Sequence, residues 1–248
     1  DLSTGYLENI AGLPVDFVEA SILSDEALDS ILVGSDSVVH LAALGSVPRS
    51  IANPSHTHEV NATGTLRVLE ACRRNQVGHV IVASSSSVYG MNPNLPKRER
   101  DWVRPMSPYA VSKLTTEQYA LAYQQSFGLS TLAFRFFNVY GPRQRAGHVY
   151  AAVIPLFIDA LINGRPLQIH GDGTQSRDFT YVGTVCNVIR EAVRVRASYP
   201  EPVNLAFGTN TSILDLVRQI KAVAGASPLV EFTPPRKGDV PHSQADNT

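Results

Sequence analysis

The strongest constraint on this chain is an alternation. Short apolar runs ending in small or polar residues are each followed by a segment of helical periodicity. Residues 36–43 (DSVVHLAA), 78–84 (GHVIVAS) and 129–138 (LSTLAFRFFN) are such runs. They are too short for helices and too continuously apolar for strands with one wet face, so they read as buried parallel strands. Between them, residues 58–75 carry Val60, Leu66, Leu69 and Ala71 at helical spacing. Residues 107–127 form a longer helical stretch, with Ser107 placed to cap it and Pro108 at its first position. Strict alternation predicts an α/β fold, a doubly wound parallel sheet with right-handed crossovers. In open sheets of this kind, ligands sit beyond the carboxyl ends of the strands.

After Tyr140 the texture changes. Helices are predicted over 149–163, 184–195 and 212–223, the last capped by Ser212, and short strands over 167–170 and 203–206. A Pro- and Gly-rich tail, PPRKGDVPHSQADNT, closes the chain. The reading is a sheet domain first, then a smaller segment covering the strand ends. At 248 residues, 44% apolar and 17% charged, the chain can bury a real core. A net charge of −1 leaves no basic field for a nucleic-acid backbone. No apolar run reaches the length of a membrane span, and the first residues lack a secretory pattern. Cys72 and Cys186 make neither a disulfide framework nor a metal cluster, and His56 and His58 have no third ligand in register. A cytoplasmic protein without a metal site is expected.

Two local patterns could carry chemistry. In Tyr109-Ala-Val-Ser-Lys113, positions i and i+4 share one helix face, so a phenol and an ammonium can stand side by side. A neighbouring cation favours the phenolate, so the spacing predicts a tyrosine of lowered pKa that takes a proton from an alcohol. The second pattern is the serine run from Ser84 to Ser87 at a strand end, where a hydroxyl can bind a substrate oxygen. Alone, each is equally an ordinary amphipathic helix or a serine-rich turn satisfying its own backbone. The spacing joins them: a strand-end serine, then about two dozen residues later a helix bearing YxxxK.

With these come HLAA (His40 to Ala43), NATGT (Asn61 to Thr65), SSSSVYG, SPYAVSK, RFFNVYGPRQ (Arg135 to Gln144), GDGTQSRDFTYV (Gly171 to Val182) and RKGDVPHSQAD (Arg236 to Asp246). In this order the motifs resemble the extended short-chain dehydrogenase/reductase superfamily, in its NAD-dependent nucleotide-sugar epimerase/dehydratase branch. The resemblance implies a Rossmann-type NAD-binding domain over residues 1–140, with 182–215 returning to it, and a substrate-binding region over 141–181 and 216–248. It implies Tyr109 as base toward the sugar 4-hydroxyl, Lys113 on the nicotinamide ribose, and Ser85 as the substrate-contacting hydroxyl. NAD would also be met by Asp1, Ser3, Thr4, Gly5, Ser21, Ile22, Leu41, Ala42, Ala43, Asn61 and Phe136. The nucleotide sugar would be met by Gly45, Ser46, Ser86, Asn138, Val153 and Ser243. Arg177 and Arg236 would grip its pyrophosphate, and Asp239 its ribose. Relatives commonly dimerise through two long helices, so a homodimer is expected.

The chain departs from the family pattern at both ends. The Gly-rich GxxGxxG turn is not present, DLSTG resembles the stretch just after the family's second strand, and ADNT stops before the family's last helices. A piece lacking the first strand-turn-helix and the C-terminal end is expected, binding NAD poorly and inactive alone. Ser21 stands where the family usually has an Asp toward adenine. Ser86 and Ser87 stand where dehydratases carry an Asp-Glu pair and decarboxylating relatives a glutamate, which disfavours both reactions. A 4-epimerase through a 4-keto sugar remains. ALGSVPRS (Ala43 to Ser50) is similar to 4-epimerases acting on UDP-N-acetylglucosamine. Ser243 replaces the bulky tyrosine of galactose-restricted epimerases, leaving room for an N-acetyl group. The expectation is UDP-GlcNAc/UDP-GalNAc interconversion, with UDP-Glc/UDP-Gal also open. Alternatives are UDP-glucuronate epimerisation, a one-way reductase, or a non-catalytic sensor of NAD or nucleotide sugars.

Overall fold

A computed structural model describes residues 1–146, 152–225, 227–235 and 240–247. Ser24 accepts from the amide of Ala27 and so caps α1 (Asp25–Leu32). β1 (Ser37–His40) follows, then two short helices, α2 (Val47–Ala52) and α3 (Pro54–His58). Ser46 and Asn53 cap these, and each has a proline in its first turn. A single wide turn over Glu59–Thr63 feeds α4 (Gly64–Arg74). β2 (His79–Ser85), α5 (Pro108–Phe127) and β3 (Ser130–Phe136) come next. Ser107 caps α5 by accepting from Ala110, and Gly128 ends it in the left-handed conformation that glycine adopts without strain.

The later elements are β4 (Val139–Tyr140), α6 (Val153–Ile162), β5 (Leu167–His170), β6 (Ser176–Arg177), β7 (Thr180–Tyr181) and α7 (Val182–Arg194). They end with β8 (Val203–Leu205), β9 (Thr211–Ser212), α8 (Ile213–Ala224) and β10 (Val230–Thr233). The central sheet has the order β1-β2-β3-β8, with every pairing parallel. Strand alternation sends Val80, Val82 and Ala133 toward Leu69 and Cys72 of α4 and Ala120 and Tyr123 of α5. Ile81, Leu132 and Phe134 pack on the other face against Val185 and Ala192 of α7. Helices therefore cover both faces, as the alternation predicts. A second apolar cluster joins Phe157 of α6, Leu167 and Ile169 of β5, and Ile213, Leu216 and Val217 of α8. Its strands β5 and β10 pair in parallel.

The structure departs from the expected elements in physical detail. The helix read over 58–75 is one part of a longer helical run that starts at Val47, because Ser46 and Asn53 supply caps ahead of it. The strand read over 129–138 stops at Phe136, where Asn138 takes a φ of 29° and breaks the extended backbone. Within the expected 149–163 helix, residues 147–151 lie outside the described residues, and the helix runs from Val153 to Ile162. α1 and β10 were not expected. α1 is only eight residues long, and β10 has a single parallel partner.

Beneath the carboxyl ends of β2 and β3 lies a buried ion pair. Arg135 on β3 clasps Glu117 of α5 with Nε at 2.8 Å and Nη2 at 2.7 Å, their side chains 4% and 0% exposed. Ser84 of β2 donates to the same carboxylate at 2.9 Å, and Arg135 stacks over the Tyr89 ring. Glu117→Gln leaves a buried guanidinium without its counter-charge. It should lower unfolding free energy by about 3–5 kcal/mol in urea titration, and the double change Glu117→Leu with Arg135→Met should lose less than that single change.

Candidate active site

Capping decides where the reactive end of α5 sits. With Ser107 and Pro108 starting the helix, Tyr109 falls in the first turn and Lys113 one turn on, buried against β2. Lys113 Nζ donates to the carbonyl oxygen of Ala83 at 2.8 Å. Ser85, at the end of β2, stands within reach of the Tyr109 hydroxyl and favours its ionised form. Ser85 Oγ in turn accepts from the amide of Ser87 at 3.2 Å and from the Ser87 hydroxyl at 2.9 Å. A hydroxyl has two acceptor sites and one proton, so Ser85 accepts from Ser87 and keeps its proton for an oxygen in front of it.

The electrostatics correct one expectation. Tyr109 lies above the ordinary tyrosine value, because burial disfavours the phenolate, and Ser85 opposes this by hydrogen bonding. The predicted lowering by Lys113 is not seen. The ammonium is engaged with Ala83, and its own pKa is pulled down to about 8 by burial. His40, at the end of β1, is pulled down to about 3 by burial and then by the Lys113 charge, so it is neutral. Its Nε2 meets Thr65 Oγ1 at 3.0 Å.

Asn61 ties this region to the loop after β1. Its Oδ1 accepts from the amide of Leu44 at 2.7 Å, and its Nδ2 donates to the Leu44 carbonyl and to Ser112 Oγ beside Lys113. It thereby holds residues 41–45 against α5. Leu41 and Ala42 stand exposed at the end of β1 with Gly45, while Ala43 and Ser46 are half-buried. Asp1, Ser3, Thr4 and Gly5 lie exposed in the first segment, where the Asp1 carboxylate accepts from Ser3. Ser21 accepts from the amide of Leu23, and Ile22 packs against the α4 core. Phe136 pairs in register with Ser85, but its ring stacks on Phe134 in the α7 cluster, away from the Tyr109 group.

A cavity of about 180 Å³ brings Ser86, Asn138, Arg177 and Ser243 together with Ser87 and Lys97. A neighbouring cavity of about 210 Å³ shares Asn138 and Arg177 and adds Val153, Gln168 and His170. A ligand long enough to pass Asn138 and Arg177 could occupy both. Arg236 and Asp239 lie outside the described residues. Asp178, which sequence reading passed over, is fully buried and shapes the same wall. Its carboxylate accepts from the amides of Phe207, Gly208 and Ala245 and from the Thr209 hydroxyl. The Ser243 amide donates to the carbonyl of Ser176, next to Arg177. A lone Asp after an arginine carries no sequence signal that its partners lie about 30 and 67 residues away.

Comparison with known proteins places this geometry. Residues 3–206 match the NAD dependent epimerase/dehydratase family. The chain is 38% identical to the UDP-glucose 4-epimerase of Mycolicibacterium smegmatis over 259 aligned positions, covering 100% of this chain and 80% of that protein. A solved UDP-N-acetylglucosamine 4-epimerase from Methanobrevibacter ruminantium, in complex with UDP-N-acetylmuramic acid, superposes with a TM-score of 0.93. It is 40% identical, over 99% of this chain and 79% of that one. The UDP-glucose 4-epimerase of Thermus thermophilus in complex with NAD superposes at 0.89, with 34% identity, over 99% and 80%. The chain belongs to the NAD-dependent epimerase/dehydratase family, and its fold is that of the extended short-chain dehydrogenase/reductases. Its cofactor is accordingly NAD, and the site fits one: a buried ammonium and a tyrosine hydroxyl at the end of β2, beside the exposed apolar Leu41 at the end of β1. Among the described residues, no helix is long and apolar enough to cross a membrane.

The buried His40 makes stability depend on pH with a definite sign. Its folded pKa of about 3 lies below the unfolded value of 6.5, so between these the unfolded chain binds the extra proton. Stability is therefore full above about pH 6.5 and falls as pH drops toward 3. His40→Gln, which can still bond Thr65, should flatten this acid limb by on the order of 3 kcal/mol at pH 4 in urea titrations.

Proposed function

We propose that the protein is an NAD-dependent 4-epimerase of UDP-sugars, with UDP-GlcNAc and UDP-GalNAc as its substrate pair. The observation carrying this reading is Tyr109 beside Ser85, with Lys113 one turn along, at the strand end beside the Ser86–Ser243 cavity. Tyr109, once ionised, would remove the proton of the sugar 4-hydroxyl and later return it; the positive charge of bound NAD would offset the burial that raises its pKa. Ser85 holds the same oxygen as its character changes from alcohol to carbonyl. NAD, when bound, would supply the hydride-accepting and hydride-donating chemistry needed at C4. Lys113 would hold the nicotinamide ribose, and Leu41, Ala42 and Ala43 would line the ring's approach. Elimination of water needs an acid beside the sugar, and here Ser86 and Ser87 stand in its place, the latter spent on Ser85.

Residues 1–140 with 182–215 would form the cofactor side, and 141–181 with 216–248 the sugar-nucleotide side. Arg177, and Arg236 with Asp239, would hold the diphosphate and ribose, since a planar guanidinium fork suits phosphate oxygens. In the cell the molecule would be a homodimer in the cytoplasm. Support for the N-acetyl preference comes from Ser243, which lines the sugar cavity with a small side chain, and from the ALGSVPRS segment.

Two substitutions test the reading in full-length protein. Tyr109→Phe removes only the hydroxyl and should lower kcat on the order of 10²–10⁴-fold with the fold intact, measured by coupled epimerase assay; near-normal turnover would refute the base. Ser243→Tyr should shift the kcat/KM ratio for UDP-GlcNAc over UDP-Glc downward by about ten- to a hundredfold, since overpacking costs roughly 1–3 kcal/mol. An unmoved ratio would remove the support for the N-acetyl assignment.

A further inference from the structure

One charged side chain in the sugar cavity has no part in the mechanism above. Lys97 lines that cavity with Ser86, Ser87 and Ser243, yet is only 5% exposed. Its backbone is clamped: the amide donates to the Gln244 carbonyl at 2.8 Å, and its own carbonyl accepts from Asp246 N at 2.9 Å and Asn204 Nδ2 at 3.0 Å. The side chain therefore leaves a fixed point on the wall next to Ser243. Its ammonium donates to the Asn92 carbonyl, and Asn92 Oδ1 lies 3.5 Å away, already accepting from Asn94 N at 2.8 Å. Among the described residues no carboxylate comes within ion-pair distance of it. An ammonium has three protons; both acceptors here belong to Asn92, the second at the long distance of 3.5 Å, so one proton is free to meet a ligand in the cavity that Lys97 lines. Buried charge of this kind is ordinarily met by a counter-charge or a full set of hydrogen bonds. Burial also draws Lys97 below the ordinary lysine value, with Asp101 opposing.

We propose that Lys97 reads an acyl oxygen carried on the sugar ring, either the carbonyl of an N-acyl group or a carboxylate. This deepens the epimerase reading and rests on it. The placement favours the sugar over the diphosphate. Lys97 shares its wall with Ser86 and Ser87, which directly follow the hydroxyl at Tyr109, whereas Arg177 stands at the junction of the two cavities. A sugar bearing only hydroxyls offers weaker acceptors than an amide carbonyl or a carboxylate, so Lys97 would discriminate among sugars without touching the reacting carbon.

The test uses full-length protein with three substrates. UDP-Glc carries neither acyl oxygen, UDP-GlcNAc carries the amide carbonyl, and UDP-glucuronate carries the carboxylate. Binding by calorimetry and kcat/KM are read for wild type and Lys97→Met. The expected result is a fall of about ten- to a hundredfold in the preference for one acyl-bearing sugar over UDP-Glc, as for loss of a hydrogen bond to a charged group. The sugar affected identifies the acyl source. An equal loss on all three, or none on any, would assign Lys97 to the loop through Asn92 alone and overturn the proposal. Lys97→Gln keeps a donor for Asn92 and carries the same readout if Lys97→Met melts early. Failure of the epimerase reading is separate: it appears as no 4-epimer from any of the three, while the binding preferences still report on Lys97.

Discussion

The Glu117 carboxylate is the contact on which the site's geometry rests. It stands on α5 yet takes hydrogen bonds from Ser84 on β2 and from two nitrogens of Arg135 on β3. Three elements thus meet at one buried charge, a single residue below the strand-end serine. Apolar packing of Ala120 and Tyr123 holds α5 against the sheet, but such packing is not directional and tolerates sliding. A bidentate guanidinium clasp does not, because its planar fork fits one register. With that register set, Lys113 reaches Ala83 and Tyr109 meets Ser85.

Asp178 plays the matching part on the other side of the cavity. It gathers amides from two loops, around Gly208 and at Ala245, and sits next to Arg177. The antiparallel pair of β6 and β9 and the parallel pair of β4 and β7 lie on either side of it. Segments distant in sequence are bound here by polar contacts rather than by a large core. This is how a wall of loop residues can be defined beside a well-packed sheet.

Much of the sheet layer was legible because its signals are local. Valine-rich runs and a Ser-Pro start announce β1, β2 and α5 without tertiary knowledge. α2 and α3 were missed because a five- or six-residue helix shows no period, although Ser46 and Asn53 marked their caps. β10 was missed because Val230 to Thr233 become a strand only by pairing with β5. At the site, YxxxK and the serine run were readable as residue types, but their charge states were not. Burial reversed the direction expected for Tyr109, and burial is a property of the fold. Lys97 and Asp178 were invisible for a related reason. A lysine in a surface-like NPNLPKRER stretch and an aspartate in a turn look solvated until the chain closes over them.

The Ser85 hydroxyl has a polarity that matters beyond its position. Its oxygen accepts from both the amide and the hydroxyl of Ser87, which leaves its own proton to be handed forward. A strand-end serine with empty lone pairs could act as a stopping place where a proton leaving an alcohol is held and returned. Under the proposed mechanism this serine would work as a rectifier, polarising the oxygen beyond it while proton traffic fell to the tyrosine.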